Sequence, residues 1–414
     1  MLSNNKRLIL WPGKDRNHIR DIIRYAHYNI ISGIITEDSQ TLPCTLEKFS
    51  LQHALSQKNT DIIVYGKSEE IANRFNEVES RGGANLIPYF LLRNDIIRYS
   101  DLKDFDISFL SRIISHLKTG KKIAVLIGNC QLSYLQLILS SQKEFCENYC
   151  IIDLPRIFEK FESVDLNKID LIIKNADLIL SQPIREDNKF LPYYSNKNIY
   201  DIKNNDCTFI LIPNITFAGY WPQMKNIDKN LKSSFITLGG QKVFPYIDYN
   251  ILTMLNNGYS DREILLQIKS IDFYSASEAL DHYYSELSVS FERESNCDIK
   301  IFDYVSKIAS EDVIFYSFNH PKAIVIEELA RRILSTICKG SLMPQEVEKK
   351  RCEYNLFLQS QYIYPSVEIA ITSKCYERSY YSNKYAFPIT MNGDEYIQTY
   401  INSIRLMNAG VVFY

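Results

Sequence analysis

Ile123-Ala124-Val125-Leu126-Ile127-Gly128-Asn129-Cys130-Gln131-Leu132 changes character midway. Its first five residues are an unbroken apolar run behind Gly120-Lys121-Lys122, the pattern of a short strand buried on both faces. After Cys130 the apolar residues fall at Leu132, Leu135, Ile138 and Leu139, one face of a helix. A strand therefore stops, turns through Gly128-Asn129 and delivers a thiol to the first turn of a helix. Gly128 permits the tight turn and close approach of a ligand to the backbone. Asn129 is suited to cap the helix. The unpaired N–H groups and dipole of a helix start favour negative charge, so a thiol there ionises more readily than a free cysteine, whose pKa is about 8.5. This is a position for a nucleophile, although cysteine is also a common small buried residue.

The surrounding apolar runs each end in a polar cluster. Residues 149–152 end at Asp153-Leu154-Pro155-Arg156, and residues 177–180 at Ser181-Gln182-Pro183-Ile184-Arg185. Residues 208–212 end at Pro213-Asn214-Ile215-Thr216-Phe217, and residues 313–316 at Ser317-Phe318-Asn319-His320-Pro321. If these strands are parallel neighbours, their carboxyl ends share the sheet edge where open α/β folds bind ligands. That edge would gather Cys130, Gln182, Arg185, Asn214 and His320. A helical insertion separates the third run from the fourth. Ser260-Asp261-Arg262-Glu263 opens one helix as a capping box, and residues 275–292 form a second, expected to cover the site or build a homodimer contact. Pro321 is placed at a first helical position, followed by a core-facing helix through Ile326, Leu329 and Ile333. A last helix is expected over about 394–407.

Residues 1–100 alternate strand and helix patterns: strands at 7–11, 29–36, 61–65 and 85–90, helices at 18–28 and 68–76. This predicts a small Rossmann-like α/β domain, joined by a helical linker at 101–120 to a main domain at 121–414. The turn Pro12-Gly13-Lys14-Asp15 holds one glycine, so the dinucleotide fingerprint is absent and NAD is not expected.

A net charge of −2, with lysines and arginines dispersed among acids, argues against a nucleic-acid partner. No apolar run reaches the roughly 18 residues of a membrane span and no signal-peptide pattern opens the chain, so a soluble, cytoplasmic protein is expected. Nine cysteines without framework spacing read as free thiols. Cys146 and Cys150 lack a second ligand pair nearby, and no metal is expected. The 29 tyrosines and 21 phenylalanines fit an aromatic-rich core.

Gly128-Asn129-Cys130-Gln131 at a strand end resembles the signature of the WcbI family, capsular-polysaccharide biosynthesis proteins and acetyltransferases that bind coenzyme A. Ser181 to Arg185, Pro213 to Tyr220, Phe318-Asn319-His320-Pro321 and Tyr364-Pro365-Ser366-Val367 support it in the same order, over roughly 121–405. The arrangement is also similar to SGNH-type esterases, with Cys130 in place of the serine and His320 as the late histidine. Those enzymes carry an aspartate three residues before the histidine. This chain has Ser317, which leaves Asp187 or another carboxylate to orient His320.

The resemblance implies an α/β protein that transfers an acetyl group from acetyl-CoA to a glycan or sugar-nucleotide hydroxyl. Cys130 would be the nucleophile and His320 the base. Asn129, the Gln131 N–H, Gln182, Asn214 and Asn319 fall on the oxyanion and substrate side, and Gly128, Arg185 and Tyr220 on the cofactor side. The competing readings are a glycan esterase or deacetylase, and a non-catalytic subunit that binds coenzyme A or glycan during capsule assembly.

Overall fold

The computed structural model describes residues 7–11, 31–35, 47–56, 60–64, 68–81, 85–88, 96–157, 165–187, 192–224, 237–238, 241–242, 246–338, 347, 360–375, 380–382 and 389–408. The expected helix at 18–28 and the turn at 12–15 lie outside them. The chain divides into two compact units, Met1–Ile127 with Lys143–Phe209, and Gly128–Gln142 with Ile210–Tyr414.

The first unit holds two sheets. Strands β1 (Arg7–Trp11), β2 (Ile31–Ile35), β3 (Glu47–Phe49), β4 (Thr60–Val64) and β5 (Asn85–Pro88) lie in the order β3-β2-β1-β4-β5. Every neighbouring pair is parallel. That is the strand order of a doubly wound sheet. The helix Ser68–Ser80 sends Arg74 over the Trp11 ring at 4.7 Å and onto the Trp11 carbonyl. Burying that guanidinium is tolerable because it is both stacked and hydrogen-bonded.

The second sheet contains β6 (Ile96–Arg98), β7 (Lys122–Ile127), β8 (Tyr149–Asp153), β9 (Leu178–Ser181) and β10 (Thr208–Leu211), ordered β10-β9-β7-β8-β6. The expected runs at 149–152, 177–180 and 208–212 are β8, β9 and β10. β7 is central, parallel to both β8 and β9. Ile123 to Ile127 is buried throughout, which accounts for a run with no polar alternation. One face of this sheet is covered by the helices Ile107–Lys118 and Leu166–Asn175, whose Leu110, Ile113, Ile169 and Ile173 join Val125, Ile152 and Ile179 in one core. The chain passes from β7 to β8 on one side and then to β9 on the other. The carboxyl end of β7 is therefore a topological switch point, the place where open α/β sheets present residues to ligands. Gly128-Asn129-Cys130 leaves the sheet there.

The second unit is mostly helical, with the ribbon β11 (Thr237–Leu238) and β12 (Gln241–Lys242), the hairpin β13 (Phe315–Ser317) and β14 (His320–Pro321), and the ribbon β15 (Tyr380–Ser382) and β16 (Ile389–Met391). The run at 313–316 is thus not a further parallel strand. It turns back after Ser317 through Phe318-Asn319, and Pro321, which has no N–H to extend a ladder, closes the hairpin. Consequently the next helix begins at Ala323 rather than at Pro321. The helical insertion is present as Tyr249–Asn256, Asp261–Ile268, Ala276–Glu294 and Phe302–Ile308. Ser260 with Glu263, and Ser275 with Glu278, form the capping boxes that start two of them. The last helix runs Gly393–Asn408. Among the described residues no helix is long and apolar enough to cross a membrane.

Ile179, fully buried in the middle of β9, tests the sheet core. Ile179→Ala is expected to destabilise the protein by about 2–5 kcal/mol, read as a fall in thermal midpoint.

Candidate active site

Cys130 is exposed and has helical backbone angles (φ −61°, ψ −21°) at the start of the helix Gln131–Leu139. Asn129 makes the turn: its Oδ1 accepts the Gln131 N–H at 2.9 Å, and its Nδ2 donates to Asn214 Oδ1 at 2.9 Å. The expected cap is therefore present. It also engages the Gln131 N–H, which the sequence had assigned to an oxyanion. Gln131 has a different task. Its buried side chain donates from Nε2 to the carbonyls of Ile215 (2.7 Å) and Asn319 (2.9 Å), while Oε1 accepts the Ile215 N–H at 3.1 Å. One amide thereby fastens the Cys130 turn to both the Asn214 loop and the His320 hairpin.

These two segments are also joined directly. Phe217 N–H donates to the Phe318 carbonyl at 2.7 Å. The Phe217 ring meets Phe315, Tyr220 and Tyr283 at centroid distances of 5.6, 5.3 and 5.4 Å. Gly219 leaves room for that ring, since a Cβ there would come within 2.2 Å of it. The helix Ala276–Glu294 backs the loop. His282 Nε2 lies 3.0 Å from the Ala218 carbonyl, and Ser290 and Arg293 donate to Thr216.

His320 arrives opposite Ser317 in the hairpin, with Nε2 3.9 Å from Cys130 Sγ and Nδ1 2.7 Å from Ser317 Oγ. Residues 190 positions apart are thus adjacent. Burial pushes the imidazolium pKa down to about 4, so the ring is neutral at physiological pH. The residue that orients His320 is Ser317. Asp187, raised by sequence reasoning for that task, lies in the first unit and pairs with Arg185 at 3.2 Å, both side chains being well exposed. His320 does not cap the following helix, whose N-cap is Lys322.

The other sequence candidates fall in several places. Gly128 is buried at the turn, and Asn214 is exposed. Asn319 accepts through Oδ1 from the Ser317 hydroxyl (3.1 Å) and the Tyr246 hydroxyl (2.6 Å). Tyr220 belongs to the core: it is fully buried, and its hydroxyl donates to the carbonyls of Ala309 and Asp312, leaving no surface for a cofactor. Gln182 is buried in the first unit, directly after β9, with its N–H on the Ile127 carbonyl. Tyr246 was missed. It lies outside every motif, and only the fold brings its hydroxyl to Asn319.

An exposed thiol beside a neutral, oriented imidazole can carry out nucleophilic chemistry on an acyl group. Among the described residues no cluster of three or more His, Cys, Asp or Glu side chains is placed to hold a metal.

The sequence model of the family described as "Polysaccharide biosynthesis enzyme WcbI" matches residues 123–338, slightly over half the chain. The block at Tyr364 to Val367 lies beyond that span. No curated protein matches. Among solved structures the chain is similar to that of a WcbI protein, at 15% identity and a TM-score of 0.53, over 70% of this chain and 90% of the other. That protein is described as a novel polysaccharide biosynthesis enzyme, in native form without a disulfide bond between coenzyme A and one of its cysteines.

Gln131→Glu replaces the donor to two buried carbonyls with an acceptor. It is expected to lower stability by about 1–3 kcal/mol, measured by thermal unfolding, with Gln131→Asn recovering little because it is one methylene short.

Proposed function

The chain belongs to the WcbI family of polysaccharide biosynthesis enzymes, and from that premise we propose that it transfers an acetyl group from acetyl-CoA to a sugar hydroxyl of a capsular or other surface glycan. The observation that carries this reading is the exposed Cys130 sulfur 3.9 Å from His320 Nε2, with Nδ1 of the same ring held by Ser317. The description of the solved relative in terms of coenzyme A and a cysteine supports the same ligand here.

Cys130 Sγ attacks the thioester carbonyl as its proton passes to His320 Nε2. The carbon–sulfur bond to coenzyme A breaks, and the departing thiolate takes that proton. One thioester has replaced another of similar energy. A sugar hydroxyl then attacks acetyl-Cys130, its proton going to Nε2 and on to the Cys130 sulfur as that sulfur leaves. The amide of Asn129, the residue before Cys130, and that of Asn214, hydrogen-bonded to it, are the proposed oxyanion and substrate donors. The acceptor is a glycan or sugar nucleotide.

Mixing the protein with acetyl-CoA and measuring intact mass should show one acetyl adduct that is absent from Cys130→Ala. A Cys130→Ala protein with full transferase rate ends the nucleophile assignment. His320 works as a base only when neutral, and its pKa of about 4 keeps it neutral through the mildly acidic range. The acid limb of kcat/KM is therefore expected near pH 4, with activity lost as pH falls through that value. Above it no imidazolium remains to pair with a thiolate at rest. Alkylation of Cys130 by iodoacetamide should accordingly show no plateau between about pH 5 and pH 7.

A further inference from the structure

The hydrogen bonds behind His320 form a directed chain. Asn319 Oδ1 can only accept, and two hydroxyls reach it: Tyr246 at 2.6 Å and Ser317 at 3.1 Å. A serine hydroxyl has one hydrogen. With that hydrogen given to Asn319, Ser317 Oγ can offer only a lone pair to His320 Nδ1, 2.7 Å away. Nδ1 must then carry the ring proton. We propose that Ser317, Asn319 and Tyr246 are positioning residues that hold His320 in the tautomer protonated at Nδ1, leaving the Nε2 lone pair aimed at Cys130 Sγ. This inference rests on the reading of Cys130 and His320 as the reacting pair.

Each member is fixed by contacts of its own. Ser317 is fully buried in β13, opposite His320. The Asn319 carbonyl is held by Gln131 Nε2. The Tyr246 ring packs edge-on against Phe318 at 4.5 Å, and its carbonyl accepts from the Tyr400 hydroxyl at 3.2 Å. Burial drives the Tyr246 phenol pKa well above its ordinary value, so this hydroxyl stays a donor across the working pH range. The direction of the chain matters because its reverse disables the site. Were the Asn319 amide to present NH2 to both hydroxyls, Ser317 would donate to Nδ1, the proton would sit on Nε2, and the ring could not accept from sulfur.

Among the described residues His320 hydrogen-bonds only to Cys130 and Ser317, and burial accounts for its low basicity. Among the described residues the titratable groups hydrogen-bonded to the ring and its relay are Cys130, Tyr246 and, on the Tyr246 carbonyl, Tyr400. A carboxylate at position 319 would preserve the acceptor and add the missing charge, so Asn319→Asp distinguishes the two directions.

Long-range proton–nitrogen correlation spectra of protein labelled with 15N-histidine read the tautomer, with His320→Gln assigning the resonance. Wild type and Asn319→Asp should both show a protonated Nδ1 and a bare Nε2, and Ser317→Ala should show a mixture. Tyr246→Phe keeps the ring packing and should lower kcat about tenfold with KM for acetyl-CoA unchanged. Asn319→Asp should raise the acid limb of the rate profile above that of wild type. A proton on Nε2 in wild type, or a tautomer switched by Asn319→Asp, overturns the proposal. So does a Tyr246→Phe variant with unaltered tautomer and kcat. Failure to acetylate Cys130, with the tautomer as stated, removes the transferase reading and leaves the relay standing.

Discussion

The side-chain amide of Gln131 is the interaction on which this site depends. Three segments distant in sequence meet at Cys130: the turn after β7, the loop through Asn214 and the hairpin carrying His320. Gln131 satisfies two carbonyls and one N–H from the other two segments with a single buried amide. An apolar side chain of the same size would leave all three backbone groups unpaired in the interior, which costs more than the net worth of the bonds themselves. A carboxylate would lose both donations. Glutamine is the residue that both donates and accepts at that reach, which explains why it follows the cysteine so closely.

The electrostatics of the site follow from what stands behind the imidazole. In hydrolase triads a carboxylate takes that place and stabilises the imidazolium that forms. Here the place is held by a serine hydroxyl and then an asparagine. The ring is oriented without being offered a counter-charge, and burial lowers its basicity. Such a histidine offers the sulfur no positive charge at rest. A neutral ring of low basicity can accept a proton only as bonds to the sulfur change, which fits the exchange of thioesters in the proposed transfer.

Much of this was legible in the sequence because it is local. The apolar run at 123–127 flanked by lysines and glycine specifies a central strand whatever surrounds it, and Gly128-Asn129 specifies the turn. Ser260 with Glu263 carries a helix start in four residues. The Cys130–His320 pairing followed from two polar clusters, each placed after an apolar run. What failed depended on partners that no local pattern reveals. The four residues at 313–316 read as a parallel strand, but Asn319 and Pro321 turn them into a hairpin. Tyr220 was placed on the cofactor side by the family resemblance, yet its hydroxyl is satisfied by carbonyls some ninety residues away. Ser317 was passed over because the esterase pattern called for an acid, and Tyr246 because its only link to the site is made through space.

The hairpin matters more than its size indicates. A histidine at the end of a parallel strand would be oriented by whatever loop followed, and loops vary freely in conformation. In the hairpin, Ser317 and His320 are cross-strand partners, so the backbone ladder itself sets the distance between the hydroxyl and Nδ1. Asn319, in the turn between them, presents its carbonyl to Gln131 and its side chain to Ser317, joining the orientation of His320 to the amide that fastens the Cys130 turn. Displacement of either half therefore displaces the other. Since the two halves lie 190 residues apart, the site cannot form from either segment alone. Reactivity of Cys130 consequently depends on the completed fold of the second unit rather than on the local sequence around the cysteine.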